Sequence, residues 1–408
     1  MSTSLLSLAS MVAVGAPLVG AGLVSSSAGE RSPRSVAVAA SATALVAGLL
    51  VVAGFAAGVA PLALGPALGG GRFFFVDGLS AVLLPWAALL NTAIALVAPR
   101  RSFDAPAVRR SLGGAGATAA LFVTSHPWVL LALWIVTAWL TWRATRVTPG
   151  GGPSARVFAI YMGLATAAMV AGTAMLVADP PWERASGVIG TAGGWLVALA
   201  VMIRKGIYPF HSWYPALFSG APMSTALSAT MPQVAAYAAV RLLVGHADGV
   251  ARELEMLTVF ALLTAVYGAA LALVQRDLRG FLGMLAMSQS ALVLAGLSGR
   301  LPMELNGAFC LWISSGLAIT GIGLVSWAIE SRAGPIPLET LQGRFWDAPA
   351  LAAFFLLFGM AAIGMPGSLS FVADDLIVSG SLDDHLAAGL LVIASTVLCG
   401  IAVMRCWF

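Results

Sequence analysis

Few side chains in this 408-residue chain can hold or pass a charge, and they are unevenly placed. The one lysine, Lys205, follows Arg204 within Ala200 to Arg241, which reads AVMIRKGIYPFHSWYPALFSGAPMSTALSATMPQVAAYAAVR. A charged side chain near the middle of a membrane helix costs roughly 2.5–3.5 kcal/mol on insertion scales, so this pair must reach water or be used. Pro209, Pro215 and Pro222 follow, and each removes a backbone donor. The stretch therefore reads as a helix interrupted beside charge and then restarted, with His211 inside the interruption. A second interruption, GMPGSLSFVADDL around Pro366, runs into Asp374 and Asp375. Titratable groups linked by polar side chains and water are what ion transfer through a helix bundle requires. Each has a plainer reading beside it: Lys205 as a helix-end residue snorkelling to the interface, His211 as a hydrogen-bonded structural histidine, and the acid pair as loop charge.

The elements that must position these groups are apolar. Hydrophobic residues make up 60% of the chain and charged residues 9%, against about a quarter charged in soluble domains. This is a polytopic, all-α membrane protein. The formal charge of +4 comes from arginines in loops, so no nucleic-acid partner is expected. Cys310, Cys399 and Cys406 lie too far apart for a metal spacing and read as core residues. His126, His211, His246 and His385 form no HxxH pair, and no nucleotide-binding glycine motif follows a strand signal. No cofactor, metal site or catalytic centre of its own is expected. The first apolar run reads as a span, with no cleavable leader.

A span needs about 20 apolar residues, and breaks at charge, Pro and Gly define about thirteen: 5 to 25, 36 to 62, 76 to 98, 108 to 124, 127 to 143, 156 to 178, 187 to 211, 221 to 244, 253 to 274, 279 to 298, 304 to 329, 348 to 378 and 384 to 406. Connections after odd-numbered spans carry Arg31 and Arg34, then Arg100, Arg101, Arg109 and Arg110, then Arg143, Arg146 and Arg156, then Arg276 and Arg279, then Arg332 and Arg344, with Arg405 at the end. Those after even-numbered spans carry Arg72, Arg184, Arg252 and Arg300, one each. The positive-inside rule puts the amino terminus outside and the carboxyl terminus in the cytoplasm, across the inner (plasma) membrane. Three regions follow: amino-terminal helices at 1–107, a five-helix unit at 108–244 and a second at 253–406. Because five is odd, the second unit enters the membrane inverted, and each unit has a broken fourth helix, the pattern that marks ion sites in transporters.

The run IRKGIYPFHSWYP, followed by SGAP and PQVAAYAAVR, resembles the core signature of the antiporter-like membrane subunits of proton-pumping NADH:quinone oxidoreductase. The M-type subunit is the nearer match. The wider family includes multisubunit sodium/proton antiporters, membrane hydrogenases and the membrane partner of inorganic-carbon accumulating systems. The resemblance extends over FFFVDGLSAVLL (73 to 84), VQRDLRGFLGMLAMSQSALVLAGL (274 to 297) and AIGMPGSLSFVADDLIVSG, and so covers about 73 to 408, one span fewer than the family's fourteen.

The resemblance implies a relay of a fifth-span glutamate, lysines in spans seven and eight, a histidine or lysine in span eleven, and an acid or lysine in span twelve. Residue by residue, these positions hold Ala138, Arg204, Gln233, Ser315 and Asp374, with Lys205 one place after Arg204 and Asp375 after Asp374. Arg204 carries a fixed charge, Gln233 hydrogen-bonds without charge, and only Asp374 keeps a titratable group in register. The ion-transfer set is therefore Arg204, Lys205, His211, Gln233, Asp374 and Asp375. Three functions stay open: a proton- or sodium-translocating subunit of a multisubunit ion-coupled complex, the membrane subunit of a proton-coupled inorganic-carbon (bicarbonate or carbon dioxide) uptake complex, and a non-conducting scaffold. Its expected partners are other membrane subunits, a peripheral cytoplasmic subunit and membrane lipids.

Overall fold

The computed structural model describes residues 3–26, 32–68, 71–99, 102–178, 188–340 and 343–407. Arg31, Arg100, Arg101 and Arg184 lie outside the described residues, as do the side chains of His246 and Arg344. The chain forms two compact units, residues 1–144 with 224–234 and residues 145–223 with 235–408.

In the first unit, α1 (Thr3–Ser26) and α2 (Pro33–Ala56) precede an antiparallel hairpin of β1 (Leu62–Leu68) and β2 (Gly71–Val76); α3 (Gly78–Val97), α4 (Ala105–Phe122) and α5 (Pro127–Arg146) follow. The hairpin corrects one expectation, since the second span ends at Ala56 rather than 62; the fold is otherwise helical, as expected. Gly58 at φ 83 ends the helix and Gly65 at φ 85 sits at the hairpin's irregular step; both use left-handed backbone that glycine adopts freely. Val123 O accepts from Phe75 N at 2.7 Å and Phe73 O accepts from Thr124 Oγ1 at 2.6 Å, tying β2 to the end of α4. Asp77 then caps α3 by accepting from Ser80 N at 3.0 Å. The core is built of small residues such as Ala9, Ala13, Ala47, Ala81 and Ala119 around Val51 and Leu84. Small residues let membrane helices approach closely.

The second unit holds α6 (Gly152–Ala178), α7 (Val188–Lys205) and α8 (Trp213–Gly220). After α9 (Met223–Thr230), which belongs largely to the first unit, come α10 (Val234–Leu242), α11 (Ala251–Leu273), α12 (Leu278–Ser298), α13 (Pro302–Ala333), the short α14 (Arg344–Asp347), α15 (Pro349–Ala362), α16 (Leu369–Asp384) and α17 (Leu386–Trp407). Among the described residues, nine helices are long and apolar enough to cross a membrane. The other expected spans fall on α4, on α7, on α9 with α10, and on α15 with α16, while α8 lies between the expected seventh and eighth.

Helix α12 is the axis of this unit. Every residue of it but Arg279 is buried, because α8, α11 and α13 pack around it. Its Ser288 donates to Ala265 O of α11 at 2.7 Å. Elsewhere hydroxyls turn back on their own helices, as Thr264 does to Phe260 O at 2.6 Å and Ser326 to Ile322 O at 2.7 Å, which lets polar side chains sit in apolar surroundings.

Helix α8 approaches α12 closely at Gly283, where a Cβ would stand 2.9 Å from Pro215 Cα. Gly283→Val should therefore cost about 1–3 kcal/mol, the range for overpacking. Gly163→Ala, with nothing within 4 Å of the added carbon, should be neutral or stabilising. Thermal unfolding in detergent distinguishes them, and equal melting temperatures would refute this packing account.

Candidate functional site

The first break starts earlier than its prolines suggest. Helix α7 stops at Lys205 because Gly206 takes φ 71, donating to Ile203 O at 3.1 Å while Ile207 N donates to Met202 O at 3.0 Å. This pair of bonds is a Schellman closure, which needs left-handed backbone at the residue after the cap. Trp213 Nε1 adds a bond of 2.8 Å to Ile203 O, and Tyr208 N donates to Thr264 Oγ1 at 3.0 Å. The expected break near Pro209 thus lies at Gly206, three residues earlier, and Lys205 is the terminal residue of the helix.

Lys205 is 2% exposed, so its side chain is enclosed by protein, against the snorkelling reading. Arg204 is partly exposed. His211 stacks on Tyr208 with centroids 5.9 Å apart and meets Tyr267 edge-on at 5.0 Å; its Nδ1 is buried without a hydrogen-bond partner. Ser212 donates to Tyr161 Oη at 2.8 Å. Beyond α8, Arg279 of α12 grips the end of that short helix: Nη1 donates to Ala221 O at 3.1 Å, and Nη2 lies 2.8 Å from Glu330 Oε2 of α13. Glu330, near the end of α13, thereby braces the break.

The second break repeats the first. Helix α15 ends before Gly364 at φ 74, and Met365 N donates to Met360 O at 3.1 Å, the counterpart of Ile207 on Met202. Ser368 Oγ then caps α16 by accepting from Phe371 N at 3.3 Å. Asp374 stands in the second turn of α16. Its Oδ2 lies against Gly364, where a Cβ would come within 2.5 Å, and its Oδ1 is buried without a hydrogen-bond partner. Asp375 is exposed, since adjacent helical residues point about 100° apart.

Gln233, 5% exposed, belongs to the first unit. It takes φ 53, uncommon for a residue other than glycine, at the turn between α9 and α10. Of the other relay positions, Ala138 is a buried alanine of α5, and Ser315 is buried with its hydroxyl donating to Leu311 O at 2.6 Å.

Three buried polar groups went unrecognised in the sequence. Glu253, 2% exposed, opens α11, and Glu304, 3% exposed, opens α13, where it accepts from Ser381 Oγ at 2.9 Å and from Leu301 N at 3.2 Å. An acid in the first turn of an apolar helix was the available signal, but it reads equally as a cap. Gln289, 1% exposed with Oε1 unpartnered, carries no local signal, because only the packing around α12 buries it.

Two broken helices, each closed by a left-handed glycine beside ionisable side chains, stand among helices long and apolar enough to cross a membrane. Residues 158–400 match the family model described as NADH:quinone oxidoreductase/Mrp antiporter, transmembrane, and the chain belongs to that family. It is similar, at 28% identity over 175 residues, to F(420)H(2) dehydrogenase subunit M of Methanosarcina mazei. That alignment covers 42% of this chain and only 35% of the relative's length. The fold resembles respiratory complex I from Thermus thermophilus, with a TM-score of 0.87 and 21% identity over 98% of this chain and 88% of that one. It also resembles the Mrp complex from Dietzia sp. DQ12-45-1b, with a TM-score of 0.88 and 22% identity over 98% and 79% of the two chains.

Gly364 and Gly367 both have positive φ, 74 and 94, yet nothing lies within 4 Å of a Cβ on Gly367. Alanine at either should cost about 1–2 kcal/mol of left-handed strain, but only Gly364→Ala should also displace the Asp374 carboxylate and depress ion flux. Melting temperatures and flux in liposomes test this; equal flux in the two variants would separate Gly364 from the site.

Proposed function

We propose that the chain is a proton- or sodium-translocating membrane subunit of a multisubunit, ion-coupled complex, with Asp374 as its principal titratable group. The observation that carries this reading is the Asp374 carboxylate, held at a helix break with one oxygen buried and unpartnered. A carboxylate so placed can gain and lose a proton beside backbone that is already out of regular helix, the arrangement transporters use at the midplane. Lys205, enclosed at the first break, is a second ionisable group, and His211 with its aromatic neighbours lines the same break.

The matching glycine closures at Gly206 and Gly364 support two related five-helix units, 108–244 and 253–406, following amino-terminal helices at 1–107. In this reading the partners are neighbouring membrane subunits and a peripheral cytoplasmic subunit. The amino terminus lies outside and the carboxyl terminus in the cytoplasm of the plasma membrane. A second reading, a non-conducting scaffold, draws on Ala138, a buried side chain without charge at the fifth-span acid position, and on Ser315, whose hydroxyl is tied to its own helix.

Asp374→Asn removes the charge and the proton site with little change in volume. The variant should assemble yet lose most ion flux after reconstitution, whereas exposed Asp375→Asn should be mild. Wild-type flux in Asp374→Asn would leave the scaffold reading in its place. Orientation is tested separately: single cysteines at Arg110 and Arg332 should label only from the cytoplasmic side, and labelling of either from outside intact cells would overturn the assigned sidedness.

A further inference from the structure

Helices α13 and α16 run antiparallel and meet through glycine. A Cβ on Gly307 of α13 would stand 3.0 Å from both Ala373 O and Ile377 N, and one on Gly380 of α16 would come within 2.5 Å of Glu304 Cγ. Such contacts bring membrane helices close together. A glycine, however, offers no side chain to fill a hole in the facing helix, which is the device that fixes one packed helix against another. Something else along the interface has to set the rotation of α16.

The buried Glu304 carboxylate is placed to do so. Its Oε2 accepts from Leu301 N at 3.2 Å, and its Oε1 accepts from Ser381 Oγ at 2.9 Å. The first bond ties the carboxylate to the start of its own helix, so α13 sets the direction of the second. Glycines crowd the side chain from two sides, and a Cβ on Gly299 would overlap Oε2. The group therefore has little room to turn. A hydrogen bond to a carboxylate is charge-assisted and stronger than one between neutral groups. Ser381 is itself 4% exposed, so bulk water does not compete for its hydroxyl.

Ser381 stands seven residues after Asp374 on the unbroken helix α16. Seven residues make about two turns and return to nearly the same face, about 10.5 Å along the axis. A rotation of α16 that moves the Ser381 hydroxyl thus turns the Asp374 carboxylate by the same angle. Asp374 has little slack, since its Oδ2 lies against Gly364. We infer that Glu304 is a positioning residue for Asp374: through Ser381 it sets the rotation of α16, and so where the Asp374 carboxylate stands at the second break. The inference rests on the reading of Asp374 as the conducting group. Glu304 itself passes no ion in this arrangement; it acts through the helix.

The test uses the intact complex, purified through a tag on this chain and reconstituted in liposomes under a potassium diffusion potential. Ion flux is followed with an internal pH dye and with radioactive sodium, and the Asp374 carboxyl is followed by its infrared carbonyl band, assigned by its loss in Asp374→Asn. Ser381→Ala removes the bond between the helices and leaves the Leu301 bond in place. It should slow flux by about three- to fifteenfold, the rate equivalent of one hydrogen bond between membrane helices, and should shift the Asp374 band. Glu304→Ala should do the same; if that variant fails to assemble, Ser381→Ala decides. Glu304→Gln, whose amide can bond both Leu301 N and Ser381 Oγ, should restore the band to its wild-type position. Ser326→Ala, which removes a hydroxyl bonded within α13 alone, should leave flux and band unchanged. An unmoved band in Ser381→Ala overturns the inference whether or not flux falls, and so does a band that Ser326→Ala moves equally. If Asp374→Asn leaves flux intact, the conducting reading itself fails, while the band in Ser381→Ala still reports whether Glu304 positions Asp374.

Discussion

Within a membrane there is no bulk water to satisfy an open helix end, so every break must be closed by the protein itself. That constraint governs the second unit. Ending α7 at Lys205 leaves carbonyls of the last turn without helical partners. Gly206 N and Ile207 N take two of them back, and Trp213 Nε1 adds a further bond to Ile203 O. Ending α15 before Gly364 is handled by the same backbone geometry. At both places a glycine with positive φ is required because a Cβ would crowd a neighbour: Tyr214 at Gly206 and Asp374 at Gly364. The closures also explain the charges nearby. The carboxyl end of a helix carries partial negative charge and favours a cation, and the amino end favours an anion. Arg204 and Lys205 stand in the last turn of α7, where a cation is favoured.

Holding two such breaks in register needs a stiff centre, which α12 supplies. Its burial is achieved with small residues, as at Gly283 against Pro215 and at Gly296, where a Cβ would sit 2.9 Å from Ala308 Cβ of α13. Where α12 leaves the buried layer, Arg279 joins Glu330 and two carbonyls at the end of α8. One side chain therefore ties α8, α12 and α13 together at the edge of the first break. Removing either partner of that pair would leave a partly buried charge uncompensated, which is costlier than the pair is stabilising.

The two breaks differ in chemistry despite their common backbone. The first gathers a buried lysine, a histidine and an aromatic group around Tyr208, Tyr267 and Tyr161. The second holds the Asp374 carboxylate against Gly364. Ala138 and Ser315 are buried without an ionisable group. Glu253 and Glu304 add buried carboxylates at the starts of α11 and α13, with Glu304 bonded to Ser381 two turns beyond Asp374 on α16.

Much of this was determined by the sequence alone. Apolar runs of span length, interrupted by glycine, proline and charge, set the helices to within a few residues, because helix formation in an apolar medium depends on local composition and length. The motif around Lys205 and Pro209 carried the family, and Asp374 was legible as the one acid in register. The hairpin at 62–76 was not, since Phe73 to Val76 is as apolar as a helix and it is pairing with β1 and the bonds to Val123 and Thr124 that hold it extended. Nor was the end of α7 at Gly206, where the decisive feature is a left-handed backbone angle rather than the nearby prolines. The burial of Lys205, the outward turn of Asp375 and the meeting of Ser288 with Cys399 were decided only by tertiary packing. They depend on which faces of α7, α12, α16 and α17 are turned toward one another, and residues more than a hundred positions apart carry no local record of that choice.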